Sequence, residues 1–503
     1  MADVDAVVIG AGPNGLVAAN ALADAGVSTL VLEAQAMAGG ACRTVANTLP
    51  GFRHDVGAAF FPFGSLSPAM RAMDLPGSGL VWRHARIDTA HPSVDGTCGV
   101  LARDVDLTAE RLGPEDGPRW RKIHTWFARE GDRILAALLG ELPPWRALGL
   151  GFESLARLGL AGALSGRAWS ELTFSTPAAQ RIAPGLALHT DVGPADPLGA
   201  VVGVMLALTG STGGFGVPEG GAGAITDRLV ERLRGHRVPI LLRSRVKRIV
   251  VEGGNAVAVI TEAGDEIRVG RFVVADVAAP TLYQRLLDPK VTPSSIVDGM
   301  RSFPFGFGTF KMDWALDGPV PWIAQDACKA AVVHTGDDLD DLERFTREVR
   351  EGKVPARPYL VIGQPTLADP TRAPRGKHVL WAYSRVPFRI KGGWPSARKE
   401  AFADAIEARI EELAPGFKDT ILARQVVSPE DLEALDENLI GGDLGGGSAA
   451  ITNQLLFRPS FPYFRYRTPI RGLYLGSSYA HPGAGVHGMC GWNAAHAALK
   501  DFG

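Results

Sequence analysis

Residues 5–33 carry the tightest constraint on what this chain can fold into. "DAVVIG" is a continuous apolar run, the pattern of a strand buried on both faces of a parallel sheet. It leads into "GAGPNG" and then "LVAANALADAG", where Leu16, Ala19 and Leu22 recur at helical spacing. "STLVLE" follows as a second buried strand ending in Glu33. Gly10, Gly12 and Gly15 therefore form a G-x-G-x-x-G inside a strand–turn–helix–strand frame with an acid at its end. Each residue type suits one task. Gly10 permits a tight turn, and Gly12, with Pro13 and Asn14 beside it, lets a pyrophosphate approach the positive helix N-terminus. Gly15 allows close helix–strand packing, and Glu33, followed by Ala34, accepts hydrogen bonds from a ribose. The pattern predicts a dinucleotide-binding α/β unit.

Composition bounds the rest. At ~150 residues per domain, 503 residues suggest two to four domains. A net charge of −2 gives nucleic acid nothing to bind globally. Cys42, Cys98, Cys328 and Cys490 form no C-x-x-C and no metal-ligand spacing, which argues against a thioredoxin-type pair and a metal site. "MADVDAVVIG" lacks the features of a secretory leader. The charge-free stretch from Pro197 to Pro218 is broken by Gly, Thr and Ser and is too short to span a bilayer. These features predict a cytoplasmic chain. Residues 134–165 are apolar with few charges; they suit plain core helices, the lining of an apolar tunnel, or peripheral contact with a membrane.

Along the chain, residues 66–211 read as mostly helical and irregular, with Pro143 and Pro144 breaking an apolar helix. A short amphipathic helix is expected over 225–235, and hairpin-forming strands over 240–274. Residues 291–464 mix strands with a helix near 397–413, and the C-terminus returns to strand, glycine-rich turn and helix. There is no internal repeat and no linker-like tract, so interleaved domains are expected.

Two further elements separate flavin from nicotinamide binding. "GGACRT" at 39–44 places Gly39, Gly40 and Arg43 where a second phosphate-facing turn sits, and "FRHDVGAAFF" at 52–61 adds Asp55 and Gly57. At these residues the sequence resembles the FAD-dependent superfamily that contains amine oxidases and phytoene desaturases. The resemblance implies non-covalent FAD, with Gly39, Gly40 and Arg43 along its phosphate and ribityl region. "VPEGGAGAIT" (217–226) is similar to the turn that opens a helix in these families. "RFVVADV" (271–277) is similar to their strand returning to the FAD domain, and Val246 takes the position whose backbone faces the adenine. "LADPTRAPRGKHVLW" (367–381), "SPEDLE" (428–433) and "LLFRP" (455–459) resemble a narrower phytoene desaturase-related branch. That branch includes pyridine nucleotide-disulfide oxidoreductase domain-containing protein 2.

The most specific match is "RTPIRGLYLGSSYAHPGAGVHGMCGWNAA" (467–495), read as a strand ending at Gly476, a glycine-rich turn that starts with Ser477, and a helix from near Trp492. Gly483, Gly485 and Gly488 spell a second G-x-G-x-x-G, without the strand and acid that would complete a second dinucleotide site. The resemblance implies that backbone amides from Gly485 through Val486 and His487 to Gly488 face the ribityl chain and the flavin pyrimidine. There they would favour the negative charge that builds at N1–C2=O on reduction.

Two catalytic candidates stand out. In "GTFKMDWALD", Phe310, Met312, Trp314 and Leu316 share one strand face, and Lys311 shares the other with Thr309 and Asp313. Lys311 resembles the lysine that amine oxidases place near flavin N5; a solvated or ion-paired strand lysine is the plain alternative. His481, before Pro482 in the flavin turn, is a candidate for substrate contact or for turn stabilisation. His487 departs from the small or apolar residue usual in this branch. "DENLIGGDLGGG" (436–447) also departs from the branch, lacking a histidine after its double glycine. His54 is read as structural, and Cys490 as close to the flavin without a bond to it.

The expected architecture is α/β, glutathione-reductase-like: a Rossmann FAD domain interleaved with an α+β substrate or cap domain. Residues 1–64, 212–290 and 465–503 would form the FAD domain, and 65–211 and 291–464 the cap. The expected chemistry is hydride removal from an apolar small molecule, isoprenoid or polyene-like, by desaturation or isomerisation. An amine-oxidase-like enzyme using Lys311 and a flavin-binding scaffold with vestigial activity are the alternatives. With one complete dinucleotide fold, NAD(P)H is not expected as a direct reductant; oxygen, a quinone or no acceptor at all remains.

Overall fold

The structure, a computed structural model, describes residues 3–197 and 199–502. The outermost residues of the expected domain ends at 1 and 503, and Leu198 in the charge-free stretch, lie outside the described residues. The strands of two large sheets are, in chain order, β1 (Val4–Ile9), β2 (Thr29–Leu32), β3 (Ile87–Pro92), β4 (Cys98–Leu101), β5 (Ile240–Leu241), β6 (Val246–Glu252) and β7 (Asn255–Thr261). They continue with β8 (Glu266–Ala275), β9 (Gly308–Leu316), β10 (Ala330–His334), β11 (Val361–Gly363), β12 (His378–Val386), β13 (Ile421–Val427) and β14 (Leu473–Leu475). The helices used below are α1 (Pro13–Asp24), α2 (Val105–Leu138), α3 (Phe152–Ala163), α4 (Ala200–Thr212), α5 (Gly223–Gly235), α6 (Ser396–Leu413) and α7 (Met489–Phe502).

The first sheet has the order β6-β7-β8-β1-β2-β5, with β14 also paired to β8. β1 lies between β2 and β8, parallel to both, which is why its apolar run is continuous rather than alternating. β8 changes role along its length. Its first half pairs antiparallel with β7, and its second half parallel with β1 and β14. α1, α5 and α7 cover this sheet, with Leu16, Ala19, Leu22, Leu229 and Leu233 buried in one continuous core. This is a mixed α/β molecule with a Rossmann-like dinucleotide-binding unit, as the sequence predicts.

The second sheet has the order β13-β9-β12-β11-β10-β3-β4. β9 is buried at every position. Phe310, Met312, Trp314 and Leu316 pack with Phe402, Ile406 and Ile410 of α6 in a separate core, so the strand alternation places these four residues correctly. β3 and β4 fall within the stretch expected to be mostly helical. They are short, and β3 joins the sheet through parallel pairing with β10, more than two hundred residues away, a partner that no local pattern announces. The C-terminal helix begins at Met489, three residues before the expected Trp492, because His487 Nδ1 accepts the Met489 N–H at 3.0 Å and caps the turn. No helix among the described residues is long and apolar enough to cross a membrane.

Candidate cofactor and active site

At the C-terminal end of β1 the chain makes the turn that the glycines demand. Gly10 adopts φ +98°, and a Cβ there would lie 2.7 Å from the Asp276 carbonyl oxygen. A Cβ on Gly15 would lie 2.2 Å from the Gly10 carbonyl oxygen, so only glycine allows α1 to start this close to the strand. Gly12 is the N-cap of α1 and has no side chain to cap it with, Pro13 occupies the first turn, and the Gly15 N–H is taken from outside by the Asp276 carboxyl. With the Ala11 and Gly15 N–H groups held by Glu33 and Asp276, the turn keeps the Gly12 and Asn14 N–H groups for an anionic ligand. Asn14 adds a buried Oδ1 without a partner.

Glu33 is nearly buried. Its Oε2 accepts the Ala11 N–H at 2.7 Å and its Oε1 the Gln35 N–H at 2.7 Å, which fixes the carboxylate beside the glycine turn with lone pairs to spare. Ala34 leads from Glu33 into that Gln35 contact, and the Ser244 N–H bonds the Glu33 carbonyl just ahead of Val246, bringing the start of β6 alongside.

The second glycine turn folds onto the first. The Gly39 N–H donates to the Ala11 carbonyl at 2.7 Å, and a Cβ on Gly40 would lie 3.2 Å from the Gly12 Cα. Arg43 Nε donates to the Gly40 carbonyl at 2.6 Å. Gly476 and Ser477 close the cradle from β14, the Gly476 N–H donating to Ala275 and Ser477 Oγ to Val277. α7 crosses the start of α1 so tightly that a Cβ on Gly491 would lie 1.9 Å from the Asn14 carbonyl oxygen. Gly485 and Gly488 have φ of +115° and +68°, with the partly buried Val486 between them. Because His487 Nδ1 accepts a hydrogen bond, its Nε2 carries the proton; that atom is buried and unpartnered. Paired glycine turns at a helix N-terminus and a fixed acid beside them are what an FAD dinucleotide requires.

Three carboxyl groups surround this cradle: Glu33, Asp276 and Asp436. Asp276 Oδ2 accepts the Gly15 N–H at 2.8 Å. Burial, with Asp436 and Glu33 as like-charged neighbours, pushes its pKa up to about 7. Burial likewise raises Asp436, which lies against Gly40.

Residues 47–61 join the cradle to one face of the second sheet. On that face the register sets Lys311 opposite Tyr383, Asp313 opposite Trp381 and Thr309 opposite Arg385. Lys311 is 4 % exposed, and its Nζ donates to Asp313 at 2.5–2.6 Å, so the lysine is a buried ion pair rather than a solvent-facing side chain. Asn47 donates to Asp313 at 3.0 Å, and His54 lies 3.7 Å from it. Burial lowers the His54 pKa to about 4, in keeping with a structural residue. Phe60 packs against Trp381, which stacks on Tyr383 at 5.5 Å and 6°. Arg385 donates to Thr309 Oγ1 and the His189 carbonyl.

The two catalytic candidates lie in separate clusters. His481 is buried beside Arg458, His487 and the end of α2, with its Nε2 unpartnered, and burial lowers its pKa to about 4. None of these neighbours belongs to the Lys311 cluster. Several groups escaped sequence reading: the carboxyls of Asp276 and Asp436 at the cradle, Arg372 as the buried partner of Asp55 at 2.8 Å, and a histidine trio. In the trio, His91 stacks on His334 at 4.6 Å, His334 meets His189 at 2.8 Å, and Tyr383 Oη meets His189 Nδ1 at 3.0 Å. "RFVVADV" contains Asp276, but nothing local signals that its carboxyl reaches Gly15.

The fold and the glycine cradle define a dinucleotide-binding flavoprotein. Residues 198–497 match the flavin containing amine oxidoreductase family, and residues 8–74 match an NAD(P)-binding Rossmann-like domain. The chain belongs to the flavin containing amine oxidoreductase family, and it is an FAD-dependent oxidoreductase. It is 28% identical to rat (Rattus norvegicus) pyridine nucleotide-disulfide oxidoreductase domain-containing protein 2, over 99% of this chain and 94% of the relative. It is 24% identical to a neurosporene-forming phytoene desaturase of Cereibacter sphaeroides, over 97% and 92%. Among solved structures, an oxidoreductase from Methanosarcina mazei shares the fold with a TM-score of 0.63 at 18% identity, over 98% of this chain and 99% of that one.

Proposed function

We propose that this oxidoreductase removes a hydride from an apolar, isoprenoid or polyene-like small molecule, desaturating or isomerising it. The observation that carries this reading is the committed state of the charges on the sheet face beside residues 47–61. Lys311 is neutralised by Asp313, and Arg385 is held by Thr309 and the His189 carbonyl. Charges already committed to protein partners, set among the Trp381, Tyr383 and Phe60 rings, suit an apolar substrate nearby better than a charged one. The phytoene desaturase relative acts on a molecule of that class by its name.

In this reading Gly10, Gly12, Pro13, Asn14 and Gly15 hold the pyrophosphate, Glu33 and Ala34 the adenosine ribose, and Val246 the adenine. Gly39, Gly40 and Arg43 line the phosphates and ribityl chain; Gly476, Ser477, Gly485, Val486 and His487 reach the ribityl and pyrimidine end. When bound, FAD supplies the hydride acceptor. The chain's own residues orient the substrate and exclude water, and the backbone amides of the last glycine turn stabilise negative charge. Residues 1–64, 212–290 and 465–503 act as the FAD domain, and 65–211 with 291–464 as the cap. Lys311 acts as a positioning residue through Asp313, and His481 as a turn residue next to the flavin end.

A second reading is favoured by one observation, the parallel Trp381–Tyr383 pair: stacked rings also suit a substrate ammonium. Anaerobic mixing of the holoenzyme decides between them. Bleaching of the flavin by an acyclic polyene in detergent micelles, and not by primary amines, is the expected result. Bleaching by amines alone overturns the first reading.

A further inference from the structure

α3 carries apolar residues on its outward face as well as on the side that packs on the core. Phe152, Leu155, Ala156, Gly159, Leu160 and Ala163 recur at helical spacing on one face, and that face points to solvent. Its inward side is narrow: Leu158 and Ala161 pack on the core, and Ser154 is buried and accepts a hydrogen bond from Trp126 Nε1 at 3.1 Å. The short turn before α3 continues the exposed surface with Trp145 at 70 % exposed and Leu148 at 79 %, and Phe152 reaches 88 %. Single exposed apolar residues are ordinary, but a contiguous stripe ending in a tryptophan marks a surface that is covered in use.

The charges beside the stripe say by what. Along its edge runs an open groove of about 400 Å³ lined by Arg121, Lys122, Arg129 and Arg157, with Glu153 as its one carboxylate. Arg129 and Arg157 share Glu153, Arg129 also meets Glu130, and Arg121 pairs with Asp106. Lys122, in the groove, and Arg146, between Trp145 and Leu148, have no carboxylate partner among the described residues. Residues 121–160 hold six Lys and Arg against four Asp and Glu, a local excess of positive charge in a chain of net charge −2.

We propose that the outward face of α3, with the preceding turn and this groove, docks on an anionic lipid bilayer. The apolar stripe enters the acyl boundary, and the cations meet lipid phosphates. The inference stands apart from the substrate reading, because it uses none of the residues of the flavin site.

The test is co-sedimentation of the holoenzyme with sucrose-loaded vesicles of phosphatidylcholine, alone or mixed with phosphatidylglycerol. Wild type is expected to partition onto the mixed vesicles and to be released by high salt. Leu148→Ser with Phe152→Ser, and separately Lys122→Gln with Arg146→Gln, should each lower that partitioning roughly tenfold with FAD content unchanged. If the apolar pair loses FAD, the single Leu148→Ser variant replaces it. Wild type that stays in the supernatant with both vesicle types overturns the proposal. So does an apolar variant whose mass by light scattering halves in solution while vesicle binding is unchanged, because the face then joins two copies of the chain.

Discussion

The Asp276 carboxyl accepts the Gly15 N–H at 2.8 Å, across 261 residues of sequence, and so sits inside the turn where a pyrophosphate must approach. Its pKa is pushed up to about 7 in the protein without cofactor, and a second anion would raise it further. Cofactor binding therefore takes up a proton, and ionising Asp276 opposes it. FAD affinity, followed by flavin fluorescence at constant ionic strength, is expected to fall roughly three- to tenfold between about pH 6 and pH 8. Asp276→Asn should flatten the profile. The same raised value means that the carboxyl's contribution to apoprotein stability is full at low pH and lost as pH rises through about 7. An affinity that grows with pH would contradict this account.

Gly12→Val is expected to yield apoprotein. Even the first atom of a side chain there lies 2.9 Å from Asp276 Oδ2, and the rest would enter the space between the two glycine turns. The flavin-to-protein absorbance ratio of the purified variant measures this directly; full occupancy would remove the turn from the cofactor site.

Replacing Lys311 with Met leaves Asp313 buried without its ammonium partner. The expected loss is about 3–5 kcal/mol in urea unfolding, and a second change, Asp313→Asn, should restore more than half of it. FAD should stay bound in the double variant. A single variant as stable as wild type would mean that Asp313 does not depend on Lys311 for its burial.

Eight histidines are held below their ordinary pKa: His54, His84, His91, His189, His334, His378, His481 and His487. Burial is the leading cause for each. Unfolding frees them to protonate; below about pH 6.5 these eight groups outnumber the raised carboxyls Asp88, Asp276, Asp436 and Asp443, which work the other way, so stability falls with pH. The melting temperature should decline steadily from pH 7 to pH 5, and His189→Asn should shorten that decline. A melting temperature constant over this interval would refute the assignment.

Cys490 is fully buried, donates to the Ala480 and Gly483 carbonyls, and has its thiol pushed up to about 12 by burial. It has no thiolate to offer a flavin. Acid precipitation should leave all of the FAD in the supernatant; yellow colour in the pellet would show a covalent bond.

The legible parts of this molecule are those written in contiguous residues. The β1–α1–β2 unit, the alternation of Phe310, Met312, Trp314 and Leu316, and the helix over 396–413 each follow from local periodicity and turn chemistry. The same alternation puts Lys311 and Asp313 on one face without saying whether that face meets water or protein. It meets protein, because residues 47–61 fold across it, Asn47 and His54 reaching Asp313 and Phe60 packing on Trp381.

The glycine spacing and Glu33 by themselves determined the dinucleotide-binding unit, because turn, helix start and strand are short-range geometry that 30 residues can specify. Only the tertiary structure decided that Asp276 reaches Gly15, that His91, His189 and His334 meet, and that α3 turns an apolar face outward. Each depends on which surfaces close over one another, and the free energy of that closure is shared among contacts hundreds of residues apart, beyond what any local pattern records.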